Sequence, residues 1–283
     1  MSNIQVSLCA SANRPVLQNG FKNWERFLES LKQHEINYEV IFVGNVKPNF
    51  EASKYPEFKH IYATVKPAQC YEIAFREAQG ECIHWTADDA CYGNNQTKCN
   101  NPLDLAYRKY KEVEKQYNND RKTVIAMNPC EDGGYPQAEF HRFFGGWKHT
   151  PMMAPFNLIN RDYFVNTLGG YDADFVSGQS ENDVVMRVFE DGGRVELCLE
   201  ARFYVNHRQV HPRRGGKEDN KFRQWYNTDR KVLEDCWIPA GYGNYEKDNK
   251  NVEISKTRLR PVKRFEDKDI RTVTQGIYKG IWT

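Results

Sequence analysis

The chain has 283 residues, of which 40% are hydrophobic and 28% are charged, and its formal net charge at pH 7 is only +2. A chain of this length and composition can form a hydrophobic core that needs no disulfide bonds. The near-neutral charge gives no overall electrostatic field that would favour nucleic acid as a partner. No stretch approaches the ~20 apolar residues of a membrane span.

The eight cysteines include no Cys-x-x-Cys pair, so a zinc cluster is not expected. Several of them lie in apolar runs, which is typical of buried free thiols in a reducing compartment. The N-terminus lacks the basic and apolar regions of a signal peptide. We therefore expect a cytoplasmic protein.

The first ninety residues alternate between apolar runs and helical spacing. The runs 4–10 and 38–44 predict buried strands, and 60–63 predicts a weaker one. Apolar residues recur at helical spacing over 17–31 and again over 67–80, where a proline can open the helix and a glycine can close it. This alternation predicts an α/β fold with a mostly parallel central sheet flanked by helices.

Two adjacent carboxylates end the next predicted strand. The apolar run 82–85 predicts a buried strand, and it is followed by Asp88 and Asp89. Open α/β sheets bind ligands beyond the carboxyl ends of their strands. Carboxylate oxygens are also the ligands of a divalent cation that bridges a diphosphate. The pair therefore predicts a nucleotide-diphosphate site.

Between residues 103 and 216 helices and strands continue to alternate. The pattern predicts a helix at 103–117, a strand at 123–127, an aromatic and glycine-rich loop at 130–154, a strand at 156–159, helices at 161–168 and 182–190, and strands at 194–199 and 202–205. From residue 217 onward the chain is strongly charged and thinly apolar. We interpret that part as an extension packed on the main domain.

Four short motifs follow one another along residues 4–211. They are an Asn-Arg-Pro turn at 13–15, the helix and strand at 68–89 that end in the two aspartates, a Gly-Gly-Tyr-Asp turn at 169–172, and an acidic helix start at 180–187. Their order and spacing resemble the glycosyltransferases of the GT-A fold, close to the large family-2 type of nucleotide-sugar transferases.

The resemblance implies a domain organisation. It implies a GT-A domain at 1–215, with a nucleotide-sugar-binding half at 1–92 and an acceptor and catalytic half at 93–215. Residues 216–283 then form the C-terminal extension. The fold so implied is a Rossmann-like, mostly parallel sheet flanked by helices, in agreement with the pattern of strands.

Three positions depart from the family pattern. Thr86 stands where the first acid of the family's Asp-x-Asp motif is expected. Ser180 stands in place of the first acid of its acidic pair, and Glu181 is the second. Gly44 and Asn45 replace the acidic residues that usually follow the second strand. These departures leave the expected fold unchanged. They affect the expected number of metal ions, the identity of the catalytic base and the nucleobase of the donor.

The resemblance implies a donor that is a nucleotide-diphospho-sugar, with a UDP-sugar as the first expectation, and a Mn²⁺ or Mg²⁺ ion on its phosphates. Asp88 is the first candidate ligand and Asp89 the second. His207 and His211, which follow the last strand, are further candidates for the metal shell. Arg208 could bind phosphate through bidentate hydrogen bonds, although a solvated basic loop would explain it equally well.

The acceptor hydroxyl must lose its proton as it attacks, and a carboxylate within hydrogen-bond reach can take it. Glu181 aligns with the base position of the family, and Asp183 is the second candidate. Helix capping by Ser180, with both acids in the first turn, is the structural alternative. If Glu181 is the base, the reaction is a single inverting displacement.

The nucleoside of the donor should lie over the end of the first strand. We expect contacts from Ala10, Ser11, Ala12 and Arg14, with Asn45 near the base. The aromatic loop at 135–144, together with Trp147 and His149, is a candidate surface for the acceptor, which we expect to be a saccharide or a glycoconjugate.

Three other functions are compatible with the sequence. A sugar-nucleotidyltransferase uses a related sheet, but its glycine-rich phosphate loop is missing from residues 10–15. A catalytically silent binding module is suggested by the missing acid at Thr86. A glycosyltransferase acting on modified nucleic-acid bases would use the basic stretch 256–264, which a charged surface tail explains equally well.

Overall fold

The computed structural model describes residues 3–12, 20–93, 98–131, 156–205, 217–240 and 254–277. Within these ranges the strands are β1 (Val6–Ser11), β2 (Tyr38–Gly44), β3 (Phe58–Tyr62), β4 (Cys82–Ala87), β5 (Ala90–Cys91), β6 (Thr123–Glu131), β7 (Asn157–Asn160) and β8 (Arg194–Val205). The helices are α1 (Gly20–Leu31), α2 (Pro67–Glu77), α3 (Pro102–Gln116), α4 (Ser180–Glu190) and α5 (Lys217–Trp237). A 3-10 turn at Ala52–Lys54 and a π-helical turn at Tyr163–Thr167 complete the described helical segments.

The strands form one eight-stranded sheet in the order β3-β2-β1-β4-β7-β6-β8-β5. The pairs β2–β3, β1–β2, β1–β4 and β6–β8 are parallel, whereas β7 runs antiparallel to both of its neighbours and β5 runs antiparallel to β8. The predicted α/β class with a mostly parallel sheet is therefore confirmed. Every residue of β4 is buried, as expected of a central strand that is covered on both faces.

Helices cover both faces of the sheet and produce two hydrophobic cores. Alternate residues of β1 belong to different cores, with Leu8 packed on the α1 and α3 side and Cys9 on the α2, α4 and α5 side. On the first side, Phe27 of α1 and Tyr110 of α3 are fully buried. None of the described helices is long and apolar enough to cross a membrane. All eight cysteines are free thiols.

The two short strands predicted at 194–199 and 202–205 are one strand, β8. The register shifts in its middle, so that residues 198–201 lie opposite Met127 of β6 alone. The irregularity leaves the carbonyl of Leu199 without a ladder partner, and the Asn128 amide donates a hydrogen bond to it at 2.9 Å. The sequence pattern breaks at this bulge because the extra residues have no partner on the neighbouring strand.

The part of the chain after residue 217 has two described pieces. The first is α5, which carries Val232 and Leu233 into the core shared with α2 and α4. The second runs from residue 254 to residue 277 across α4 and the Gly-Gly-Tyr-Asp turn. It is joined to the end of α5 by backbone hydrogen bonds from Ser255 to Trp237 and from Leu259 to Cys236, both 2.8 Å long. The boundary at residue 215 between domain and extension stays a prediction.

Buried ion pairs hold this C-terminal segment in place. The Arg258 guanidinium lies 2.7 Å from the Asp172 carboxylate and 3.0 Å from that of Asp183, and both carboxylates are fully buried. Arg260 pairs with Asp174 at 2.7 Å. The basic stretch 256–264 is therefore largely occupied by internal acids. The interpretation of this stretch as a site for an anionic macromolecule stays a prediction.

We predict that Arg258→Met destabilises the protein by about 3–5 kcal/mol, because it leaves two buried carboxylates without their cation. Arg271→Met is the matched control, since Arg271 is half exposed and pairs with Glu77 at the surface. Its cost should be below about 1 kcal/mol. Urea unfolding followed by circular dichroism measures both changes. Equal effects of the two substitutions would contradict the assignment of Arg258 as the structural cation.

Candidate active site

Asp88 and Asp89 lie in the tight turn between β4 and β5. Their exposed fractions are 6% and 1%. The indole nitrogen of Trp24 donates to Asp88 Oδ2 at 3.1 Å, and the Arg26 guanidinium donates to the backbone carbonyl of Asp89 at 3.3 Å. Both donors belong to α1, so this helix fixes the turn from one side.

Thr86 is part of a buried hydrogen-bond chain below this turn. The Tyr92 hydroxyl lies 2.6 Å from Thr86 Oγ1 and 2.6 Å from His84 Nε2, and His84 Nδ1 lies 3.0 Å from the carbonyl of Asn157. Because a carbonyl only accepts, Nδ1 donates to Asn157 and Nε2 accepts a hydrogen bond from the Tyr92 hydroxyl, whose oxygen then accepts one from Thr86. The side chain at position 86 is thus directed into the core, away from any ligand at the sheet edge.

Burial sets the protonation of this chain. It lowers the pKa of His84 to about 4, so the imidazole is neutral at pH 7. It also raises the pKa of the Tyr92 hydroxyl well above its usual value. The network below the aspartates is therefore uncharged, and the charge at this end of β4 is carried by the carboxylates of the turn.

Glu181 lies in the first turn of α4. The helix begins at Ser180, and the N-cap is Gln179, which adopts a left-handed φ of 61° and makes no side-chain capping bond. The suggested capping by Ser180 is therefore wrong, because Ser180 is already helical. Burial raises the pKa of Glu181 to about 7, and the negative charge of Asp229 adds to the shift. A carboxylate with this pKa can exchange a proton near neutrality.

Asp183, two residues further along α4, has a different environment. It is fully buried and lies 2.9 Å from Arg187 Nε and 3.0 Å from Arg258 Nε, and the Trp237 indole donates to it at 2.9 Å. Burial alone would raise its pKa, but the two guanidinium charges outweigh that effect and hold the pKa below the usual value. Its contacts are those of a structural anion.

The Gly-Gly-Tyr-Asp turn connects α4 with α2. The Arg187 guanidinium donates to the carbonyl of Gly170 at 2.7 Å, and the backbone N–H of Tyr171 donates to the buried carboxylate of Glu72 at 3.0 Å. Gly170 has a φ of 71°, and a Cβ at this position would collide with Glu72. The glycine is therefore required both by its backbone conformation and by the close approach of α2.

Two tyrosines connect the aspartate turn with the start of α4. The Tyr71 hydroxyl donates to the carbonyl of Thr86 at 2.7 Å, and the Tyr71 and Tyr171 rings lie 6.0 Å apart. Burial raises the pKa of Tyr171, and the charge of Glu181 adds to that shift, so the two groups interact. Glu181 and the aspartates therefore belong to one end of the sheet.

Four of the predicted nucleoside contacts, Ala10, Ser11, Ala12 and Asn45, lie at the same end. Ser11, the last residue of β1, pairs with Val43 of β2 on one side and with Ala87 of β4 on the other. Asn45 is exposed two residues beyond Val43. Asp88 comes directly after Ala87, so the register brings the ends of three strands side by side. Ala10 and Ala12 are fully buried within this edge.

Several predicted site residues lie outside the described ranges: Arg14, His207, Arg208, His211, and the aromatic loop at 135–144 with Trp147 and His149. The described chain leaves β8 at Val205, which pairs with Ala90, the residue after Asp89. Within the described ranges no group of three or more carboxylate, imidazole or thiolate side chains is arranged to hold a metal ion. The two carboxylates match a Mg²⁺ or Mn²⁺ ion that takes its other ligands from phosphate and water.

Comparison with known proteins supports the fold. No protein-family model and no curated protein matches the chain. The mannosyltransferase PcManGT from Pyrobaculum calidifontis, solved with GDP-Man and Mn²⁺, matches with a TM-score of 0.53 and 14% identity over 83% of this chain and 66% of that one. S. aureus TarS 1–349 in complex with UDP matches with a TM-score of 0.51 and 12% identity over 81% and 65%.

The chain spans less than two thirds of the length of either neighbour. At these identities the likeness establishes a shared GT-A-like fold, which confirms the resemblance inferred from the motifs. A fold does not determine an activity, so the activity has to be inferred from the residues of the site.

Three buried charged residues near the start of α4 have no signal in the sequence. Glu72 supports the glycine turn, and Asp229 of α5 is fully buried. Lys66 is also fully buried. Its ammonium donates to the carbonyl of Ala173, and burial lowers its pKa to about 8. Each of these residues stands in a polar or mixed stretch, where a solvated side chain is the ordinary expectation, so no local pattern distinguishes them.

We predict that His84 makes the stability of the protein depend on pH. The folded state keeps the imidazole neutral down to about pH 4, whereas the unfolded chain takes up a proton below about 6.5. The stabilisation from neutral His84 is therefore present above pH 6.5 and is lost as the pH falls towards 4. The loss should be on the order of 3 kcal/mol.

The test compares the wild type with His84→Gln by urea unfolding at a series of pH values. The variant should be less stable at pH 7, because the hydrogen-bond chain is broken, and the difference in unfolding free energy should shrink towards pH 4. A difference that stays constant over this range would show that His84 titrates normally.

Proposed function

We propose that the protein is a metal-dependent glycosyltransferase that moves a sugar from a nucleotide-diphospho-sugar to a hydroxyl of a saccharide or a glycoconjugate. One observation carries the proposal. It is the connection that Tyr71 and Tyr171 make between the end of β4, where the two carboxylates follow, and the glycine turn before α4, which carries Glu181. Such a transfer needs acids at these two places, one to hold the donor and one to activate the acceptor.

The donor nucleoside would lie over the ends of β1 and β2. Among the predicted contacts, Ser11 is partly exposed and Asn45 is exposed beside it, and we propose these two as the nucleoside contacts. Ala10 and Ala12 are fully buried, so they would lie beneath the nucleoside rather than touch it. Arg14, three residues after Ser11 in the sequence, is a further proposed contact. The two structural neighbours were solved with UDP and with GDP-Man, which supports a nucleotide donor of this kind. A UDP-sugar is our first choice.

The metal site would be formed by Asp88 and Asp89 together with the donor phosphates. A divalent cation bound there offsets the negative charge that develops on the diphosphate leaving group. Val205, the last described residue of β8, pairs with Ala90, the residue after Asp89, and His207 comes two residues later in the sequence. We propose His207 as the first choice of an imidazole ligand and His211 as the second, with Arg208 as a phosphate contact.

Glu181 is our proposed base, and it would accept the proton of the attacking hydroxyl in a single inverting displacement. Its pKa of about 7 allows it to be deprotonated before the attack and to hold a proton afterwards. Asp183 was the second candidate for this role. Its three contacts with Arg187, Arg258 and Trp237 support a structural role instead.

Calorimetry with a panel of nucleoside diphosphates, with and without Mn²⁺, tests the donor site. We predict that one diphosphate binds more tightly with the metal, and that Asp88→Asn weakens this metal-dependent binding by about tenfold or more, because it removes a charged ligand. Asp235→Asn, an exposed aspartate on α5, is the matched control and should bind as the wild type does. Binding of nucleoside triphosphates alone would favour a nucleotidyltransferase.

Steady-state kinetics with the donor identified in this way test the base. Glu181→Gln should lower kcat by roughly 10²–10⁴-fold, because the amide cannot accept the proton, while donor binding is unchanged. In the wild type, kcat/KM should fall as the pH drops below about 7, where Glu181 becomes protonated. Glu112→Gln on the exposed face of α3 serves as the control. Undiminished turnover in Glu181→Gln would remove this residue from the mechanism.

A further inference from the structure

The loop directly before α4 is held by a side chain from the C-terminal part of the chain. Asp229 of α5 accepts hydrogen bonds from three consecutive backbone N–H groups: Oδ1 from Val176 at 2.6 Å, and Oδ2 from Ser177 at 2.8 Å and from Gly178 at 2.7 Å. Asp229 is fully buried. Its two oxygens therefore satisfy the donors of a loop that has no strand or helix partner for them.

The same loop determines where Glu181 lies. Gln179 follows it in the left-handed conformation, and α4 begins at Ser180. On the opposite side, the carbonyl of Val176 accepts a hydrogen bond from the backbone of Ala68 at 2.9 Å. The entry of α4 is thus fixed between α2 and α5. Glu181, in the first turn, takes its position from this entry.

Asp229 also acts on Glu181 through its charge. Burial is the main cause of the raised pKa of Glu181, and the Asp229 carboxylate raises it further. The pKa of Asp229 itself is raised to about 6, again by burial, although the three N–H groups and Lys66 oppose the shift. From the glycine turn, Tyr171 is the titratable group that faces Glu181.

We propose that Asp229 is a positioning residue for the base Glu181: its buried carboxylate fixes the loop from which α4 starts, and its charge acts on the base. The inference rests on the proposed function, since it concerns the same site. In this proposal, a residue from the C-terminal part of the chain determines the position of the base. Lys66 partly offsets the charge of Asp229 from the α2 side, and Asp172 and Asp174 also act on its ammonium.

Asp229→Asn separates the two effects. An amide has only one acceptor oxygen, so whichever way it turns at least one of the three backbone N–H groups loses its acceptor. We therefore expect kcat at the pH optimum to fall by about tenfold as the base loses its position. Removing the negative charge favours the ionised form of Glu181. The acidic limb of the kcat/KM profile should therefore move to lower pH, by roughly half a pH unit.

The control is Asp235→Asn, which makes the same chemical change on the same helix at an exposed position. Its pH profile should match that of the wild type. A merely structural role of Asp229 would lower kcat without moving the acidic limb, so an unmoved limb in Asp229→Asn overturns the inference. Other results would contradict the proposed function itself, namely a wild type without metal-dependent transfer or a Glu181→Gln variant that remains active.

A measurement on the wild type keeps the inference testable if Asp229→Asn does not fold. Carbon-13 NMR of glutamate side-chain carboxyls, with the Glu181 signal assigned by its loss in Glu181→Gln, follows the titration directly. We expect a midpoint near 7 and a second inflection near 6, where Asp229 titrates. A single transition at the ordinary glutamate value would overturn the inference without any activity measurement.

Discussion

The buried contact of Asp183 with Arg187 and Arg258 is the interaction on which the rest of this end of the molecule depends. Arg187 lies one turn along the same helix, whereas Arg258 lies 75 residues later in the chain. Placing a carboxylate in the core is unfavourable unless cations and hydrogen-bond donors surround it, so removing one partner leaves an uncompensated charge. Since Asp183 and Glu181 share the first turn of α4, the contacts that stabilise the one also determine where the other lies.

The sequence predicts the parts of the fold that depend on local pattern. Buried strands appear as continuous apolar runs, glycines mark the turn before α4, and Asp88 and Asp89 end the run that becomes β4. The contacts of Arg258 and Asp229 could not be predicted in this way, because each depends on a partner more than 50 residues away. A charged residue in a polar stretch looks solvated unless the location of its partner is known. The basic stretch 256–264 was ambiguous for this reason.

Thr86, which stands where an acid was expected from the family resemblance, has a structural role in this chain. In place of an acid at the sheet edge, the chain has a hydroxyl that donates into the core and completes the chain through Tyr92 to His84. An acid there would lose this role and would add a negative charge to an uncharged network. The aspartate turn is therefore supported from below by neutral groups. A cation at this turn would depend more on phosphate oxygens and water than one held by a full set of carboxylates.

The two acids of the first turn of α4 illustrate how environment assigns roles. Asp183 is fully buried and Glu181 is partly buried. Burial and the charge of Asp229 raise the pKa of Glu181, whereas two guanidinium groups hold the pKa of Asp183 below its usual value. Carboxylates whose pKa values are pushed apart in this way serve different purposes. The one near neutrality can exchange protons, and the one that stays ionised can only bind cations. The proposed base and the structural anion are distinguished by their neighbours, most of which come from the C-terminal part of the chain.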